Sequence, residues 1–226
     1  MFDAKQMLNQ FLGGQSDTGS TGGISGRTLA GGALAGGLAG LLTGTKTGRK
    51  IGKSALTYGG TALLGGLAYK AWRDWQQGSA ATAQDQAVFV EPPADTRFVP
   101  AAGEEQRLNR ALLRAMIGAA KADGQVDELE QRRILRHLDE TGVDASERAF
   151  VESELRAPLD FEAIVREASC PETATEIYAA SLIAIDPSKP AEQGYLSMLA
   201  ARLGLAPELV ERVHATIADA RAEATR

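Results

Sequence analysis

The chain has 226 residues, enough for one domain of ordinary size and an additional segment. Seven basic and two acidic residues lie in positions 1–70, which leaves 17 of the 24 basic and 27 of the 29 acidic residues for the rest. A basic, apolar N-terminal part suits an anionic membrane surface, whereas an acidic remainder repels phosphate backbones. We therefore exclude nucleic acid as a partner.

Cysteine usage and the opening residues bear on the compartment. Cys170 is the single cysteine and cannot form an internal disulfide, so nothing points to an oxidising compartment. The opening sequence MFDAKQMLNQFL shows no secretory signal, because the first long apolar run begins only near Thr28. We expect the apolar run to be retained and the acidic part to lie in the cytoplasm.

The N-terminal region divides by its apolar pattern. Residues 1–14 are predicted to form a short amphipathic helix that ends at Gly13 and Gly14, and residues 15–27 have the composition of a flexible linker. Residues 28–76 are predicted to be a glycine-rich apolar membrane segment. It contains two uncharged runs, Thr28–Thr45 and Ser54–Tyr69, which are separated by the basic sequence KTGRKIGK.

Both uncharged runs are short for a membrane span. At 1.5 Å per residue, 18 residues reach about 27 Å, against a hydrocarbon core of about 30 Å. Whether one or both runs cross the bilayer therefore stays open, and one crossing fits the positive-inside tendency better. A flexible glycine-rich linker is the alternative, but the many leucines argue against it.

Glycines recur at four-residue spacing through this segment. On a helix they form a stripe without side chains, which lets two helices approach closely in lipid. We expect this stripe to be a helix-packing surface that makes the protein a homo-oligomer. Its members are Gly32, Gly36, Gly40, Gly44, Gly48 and Gly52.

Two tryptophans follow the second apolar run. Trp72 and Trp75, beside Tyr69, Lys70 and Arg73, are typical of a membrane–water interface. Packing against the helical domain is the alternative interpretation.

The remainder is predicted to be a linker and an all-α domain. Pro92, Pro93 and Pro100 forbid a long helix in residues 77–103. Residues 104–226 show helical periodicity, first-turn prolines and no strand alternation, and we expect them to fold alone. About seven helices are predicted, over 104–121, 127–141, 145–156, 160–168, 171–185, 190–204 and 207–223.

An internal repeat lies in this domain. The segments around Glu130 and Glu192 align, and an aspartate, Asp123 or Asp186, precedes each glutamate by six or seven residues. A helix, an acidic turn and a second helix thus occur twice, which predicts a pseudo-symmetric helical bundle.

The first copy, an alanine-rich helix that runs into ADGQVDELE at residues 122–130, resembles the TerB-like domain of tellurite-resistance proteins. The preceding glycine-rich apolar region resembles the uncharacterised YebE-like inner-membrane proteins of bacteria, which carry that domain. The resemblance covers nearly the whole chain. It implies a metal-binding or protein-binding module at the inner membrane, linked to membrane stress responses, without established enzymatic activity.

The acidic turns are the candidate metal site. Their carboxylates can converge across a turn and a helix N-terminus on a cation of the Ca²⁺ or Mg²⁺ type, although the spacing is not that of an EF-hand. Helix capping alone is the alternative, and Lys189 stands where a further carboxylate would help. The candidate ligands are Asp123, Asp127, Glu130, Asp186 and Glu192.

No catalytic constellation is evident. His137 and His214 lie in amphipathic helices, Cys170 precedes a helix-starting proline, and phosphate loops and zinc spacings are lacking. We therefore expect a membrane-tethered, non-enzymatic module that binds a divalent cation, a protein partner or both. The alternative is a self-assembling membrane protein in which the glycine-rich segment is the functional part.

We predict that replacing Gly36 and Gly40 by leucine lowers oligomerisation, because the leucines fill the groove between helices. Membrane association should survive, since the segment becomes more apolar. Cross-linking in membranes measures both properties, and unchanged oligomers would exclude the stripe as the interface.

Overall fold

The computed structural model describes residues 60–78, 90–101, 103–122, 124, 126, 128, 131, 132, 134–136, 145–185 and 187–223. These residues form helices and turns, and no strand occurs among them. The predicted all-α class is therefore confirmed. The amphipathic helix at 1–14, the linker at 15–27 and apolar residues 28–59 lie outside the described residues.

Helices with defined bounds in the described part of the chain are α1 Gly60–Gln76, α2 Glu105–Ala120, α3 Ala145–Arg156, α4 Phe161–Arg166, α5 Pro171–Ala184, α6 Pro190–Arg202 and α7 Pro207–Glu223. Described positions between residues 128 and 136 are also helical, inside the predicted helix 127–141. The predicted ends of α2 to α7 agree with the structure within two residues. Prolines begin α5, α6 and α7, where a missing N–H group costs no hydrogen bond.

The helix α5 lies at the centre of the fold. Residues 174–184 are all buried, and the neighbouring helices α1, α2, α6 and α7 pack around them. A helix that is apolar on every side is stable only when other helices cover every side. The end of α5 is fixed by Arg221 of α7, whose guanidinium donates to the carbonyl oxygens of Leu182 and Ile185 at 2.9 Å each.

The repeat is visible as two helix–turn–helix units. In the first, α2 ends at Ala120 and described residues are helical again from Glu128; in the second, α5 ends at Ala184 and α6 begins at Pro190. The leading helices of the two units, α2 and α5, pack against each other. Ser181 of α5 donates to the carbonyl oxygen of Ala115 at 3.4 Å.

The helix α1 belongs to this helical core, which differs from the predicted division between a membrane segment at 28–76 and a domain at 104–226. It packs against α5 and α7. Its apolar residues form one stripe, as in a helix that packs on a globular core, and the buried Lys70 on the same face forms an ion pair with Asp74 at 2.6 Å. The stripe residues are at most 5 % exposed: Leu63, Leu64, Leu67, Ala68 and Ala71.

The aromatic residues of α1 join the predicted linker to the core. Phe98 is 5 % exposed, and its ring centroid lies 5.6 Å from that of Tyr69 and 6.1 Å from that of Trp72. The ring centroids of Trp72 and Trp75 lie 5.1 Å apart, and both tryptophans pack against the core. The two tryptophans therefore pack against the helical domain, as the alternative interpretation predicts, because the apolar stripe of α1 contacts other helices.

Within the described part of the chain, every helix is too short or too polar to cross a bilayer.

We predict that Leu64→Ala lowers the free energy of unfolding of the helical domain by about 2–5 kcal/mol, because Leu64 is fully buried against α5 and α7 helices. Urea unfolding followed by circular dichroism measures this change. The exposed Gln76→Ala variant on the same helix should stay within about 0.5 kcal/mol of the wild type. Equal stability of Leu64→Ala and wild type would mean that α1 is not part of the domain.

Candidate ligand-binding site

A pocket of about 330 Å³ lies where α2 ends. One wall comes from the turn after α2 and the other from the end of α3 and the loop to α4. Apolar and polar groups alternate around it, so it can take up a ligand that has both characters. The described lining residues are Lys121, Gly124, Val126, Gln131, Leu155, Arg156, Ala157, Pro158 and Leu159.

Lys121 holds the two walls together. Its ammonium group donates to the carbonyl oxygen of Ala157 at 2.6 Å and also to that of Glu154, so it joins α2 to the end of α3. Burial lowers the pKa of Lys121, and the Glu154 carboxylate partly offsets this effect. That carboxylate itself receives two hydrogen bonds from Arg114, at 2.8 and 3.0 Å.

The turn after α2 is shaped by Gly124. Its φ of +127° is a backbone conformation that side chains with a Cβ rarely adopt, and its N–H donates to the carbonyl oxygen of Lys121 at 3.1 Å. Gln131 then closes the turn, since its side-chain amide donates to the carbonyl oxygen of Val126 at 2.9 Å. Gly124 is therefore the turn glycine that the sequence indicates.

Gly118 lets the α4 region approach α2 closely beside the pocket. A Cβ at this position would lie 2.5 Å from Cδ1 of Ile164 and 3.2 Å from Cδ1 of Leu159, closer than packed carbons allow. Leu159 is nevertheless 38 % exposed and forms part of the pocket lining. An apolar side chain of a ligand can contact it there.

The pocket also has a cationic edge. Arg156 is largely exposed, and its guanidinium lies 2.6 Å from the Glu152 carboxylate one turn earlier on α3. Together with Lys121 it places two basic side chains on a domain that is acidic overall. An acidic group of a ligand would be favoured at this edge.

Of the candidate metal ligands, only Glu192 falls among the described residues. It is 4 % exposed in the first turn of α6, and its Oε1 lies 3.0 Å from Nζ of Lys189. The cation at this carboxylate is thus a lysine of the same chain. Asp123, Asp127, Glu130 and Asp186 lie outside the described residues, and no group of three or more potential metal-binding side chains occurs within them.

The glycine stripe, Gly32, Gly36, Gly40, Gly44, Gly48 and Gly52, also lies outside the described residues.

Two of the residues considered for catalysis, His214 and Cys170, contact polar side chains of the helical core. His214 lies 2.8 Å from the Tyr178 hydroxyl, and burial raises the pKa of Tyr178 to about 12. Burial, with the neighbouring Arg221 charge, lowers the pKa of His214. Cys170 Sγ lies 3.3 Å from the Thr173 hydroxyl at the start of α5. His137 lies outside the described residues.

Five of the nine described lining residues of the pocket could not be predicted from the sequence. Residues 155–159 come from a different part of the chain than the acidic turn, and no periodicity connects the two segments. Only Pro158, which ends α3, is a local signal that a loop occurs there.

Fold and pocket together define an all-α protein that has a pocket with apolar and polar lining residues at the end of α2. The chain belongs to the family described as protein of unknown function DUF533, which matches residues 28–217. The match covers both the apolar residues that begin at Thr28 and most of the helices. A relative, an "uncharacterized protein in ampR 5′ region" of Yersinia enterocolitica, is 26 % identical over 121 residues, which are 54 % of this chain and 86 % of the relative. No solved structure matches the chain.

We predict that Lys121→Met lowers the free energy of unfolding by about 0.5–1.5 kcal/mol, because the hydrogen bonds that join the end of α2 to the carbonyl oxygens of Glu154 and Ala157 are lost. Limited proteolysis should also cut the α3–α4 loop faster. Arg132→Met, which removes an exposed ion pair with Glu128, should change stability by at most about 0.5 kcal/mol. Equal effects of the two variants would contradict the role of Lys121.

Proposed function

We propose that this chain is a membrane-tethered, non-enzymatic binding protein whose TerB-like helical domain holds a segment of a protein partner in the pocket at the end of α2. The observation that carries the proposal is the pocket of about 330 Å³ with its mixed lining. Its volume suits one or two side chains of a partner.

The lining suggests the chemistry of the partner segment. Val126, Leu155 and Leu159 favour an apolar side chain, and Arg156 at the edge favours an acidic group nearby. The acidic balance of the domain disfavours nucleic acid, which supports a protein partner.

The membrane part of the proposal depends on residues that precede α1. Because α1 uses residues 60–76 in the helical core, Thr28–Thr45 is the uncharged run left for the bilayer. One crossing would then put the basic residues 46–53 on the same side as the helical domain. The positive-inside tendency favours the cytoplasm for both, with the anchor in the bacterial inner membrane.

A divalent cation of the Ca²⁺ or Mg²⁺ type is the second ligand of this proposal. Asp123, Asp127 and Glu130 each directly precede or follow one of the lining residues Gly124, Val126 and Gln131 in the chain. A cation bound by these carboxylates would order the wall of the pocket. The link to membrane stress comes only from the TerB resemblance, and oligomerisation through the glycine stripe is a separate prediction.

The test places a photoreactive phenylalanine analogue at Leu159 of the full-length protein in native membranes. We expect a discrete cross-linked protein adduct, which Ala157→Trp abolishes by filling the pocket. Ala215→Trp on the exposed face of α7 is the matched control and should keep the adduct. Adducts that survive Ala157→Trp would contradict a protein site in this pocket.

Calorimetric titration of the detergent-solubilised protein with CaCl₂ and with MgCl₂ tests the cation. We expect saturable binding that Asp127→Asn removes. Heats that are equal for wild type and variant would show that the acidic turn only caps helices.

A further inference from the structure

A carboxyl group lies under α1 at its contact with α5. Glu176 of α5 is 1 % exposed, and its Oε2 has no hydrogen-bond partner among the described residues. Gly65 of α1 lies directly above it, because a Cβ on Gly65 would be 3.4 Å from Glu176 Oε1 and 3.3 Å from the carbonyl oxygen of Phe98. The missing side chain at Gly65 therefore lets α1 close over this carboxyl.

Glu172, one turn earlier on α5, also carries a carboxyl group, and its negative charge disfavours ionisation of Glu176. Charged groups on the surrounding helices are engaged elsewhere. Lys70 and Arg73 of α1 bind Asp74, and Arg114 of α2 binds Glu154 and Glu167. On α6, Glu192 forms an ion pair with Lys189. On α7, His214 contacts the Tyr178 hydroxyl, and Arg221 donates to the carbonyl oxygens at the end of α5.

Among the described residues, an ionised carboxylate in this position would be buried without a counter-charge, which proteins avoid by keeping the group protonated. Burial, with a contribution from Glu172, raises the pKa of Glu176 to about 8. When α1 leaves, the carboxyl meets water and its pKa returns towards the ordinary value of 4.5.

We propose that α1 is a pH-dependent strap, which lies on α5 and α7 while the Glu176 carboxyl is protonated and is released when that carboxyl ionises. In the chain, α1 follows the glycine-rich N-terminal segment. Its release would therefore detach the helix next to that segment from α5 and α7, and would expose one side of the central helix α5.

The direction of the pH effect follows from the two protonation states. Below pH 4.5 the carboxyl is protonated whether α1 is docked or released, so docking has its full strength. Between 4.5 and about 8 only the docked state keeps the proton, and docking weakens by up to about tenfold per pH unit. Above about pH 8 the Glu176 carboxyl is ionised in both the docked and the released state, so docking of α1 weakens no further. Neutral pH lies inside this window.

The chain contains a built-in probe of the strap, because its two tryptophans, Trp72 and Trp75, both lie on α1. The experiment uses the full-length protein in detergent micelles between pH 5 and pH 9. Acrylamide quenching of tryptophan fluorescence reports the release of α1, and circular dichroism at 222 nm reports the rest of the fold. We expect quenching of the wild type to rise with pH while the helical signal persists.

Two variants make the test specific. Glu176→Gln keeps the shape without a titrating group and should hold quenching low at every pH. Glu211→Gln on the exposed face of α7 is the control and should follow the wild type. Quenching that rises equally in Glu176→Gln and wild type, or does not change with pH in the wild type, would overturn the proposal.

Infrared spectroscopy of the wild type provides a measurement that needs no variant. We expect the C=O band of a protonated carboxyl at neutral pH, which should disappear over the same pH range in which quenching rises. A band that disappears while quenching stays constant would also overturn the proposal.

Discussion

The rest of the structure depends on one constraint, which is that α5 must be covered on every side. Eleven successive residues, 174–184, are buried, so every face of this helix is covered while α1 is docked. Helices α2, α6 and α7 cover part of it, and α1 covers the side that remains. The small residues Ala179, Ala180 and Ala184 let these neighbours approach closely. For this reason α1, which precedes the proline-containing segment, is part of the helical domain.

The described core begins at Leu63 of α1, and Phe98 packs the proline-containing segment against Tyr69 and Trp72 of α1. The pocket lies on another part of α2, which packs against α5 as well. The helix α5 therefore contacts both α1 and the helix whose end forms one wall of the pocket.

Helical periodicity and first-turn prolines were sufficient to place α2 to α7, because these signals are local. The role of α1 could not be decided from equally local signals, since uncharged leucines and glycines suit a bilayer and a close-packed helix alike. Only the all-round apolarity of α5 indicates that another helix is needed. The pocket could not be predicted, because Lys121 meets Ala157 through tertiary packing. The position of Glu192 in the internal repeat predicted a metal ligand. In the structure, the ammonium group of Lys189 contacts the carboxylate of Glu192.

Hydrogen exchange of the full-length protein in lipid bilayers, measured across a urea series, tests most directly whether α1 is part of the helical core. At pH 4.5, where the Glu176 carboxyl is protonated and α1 is docked, amides of α1 and α5 should lose protection together at the same urea concentration, because each helix buries the other. If α1 instead remains protected at urea concentrations at which α5 exchanges freely, its protection comes from lipid, and the account of a domain closed by α1 is contradicted.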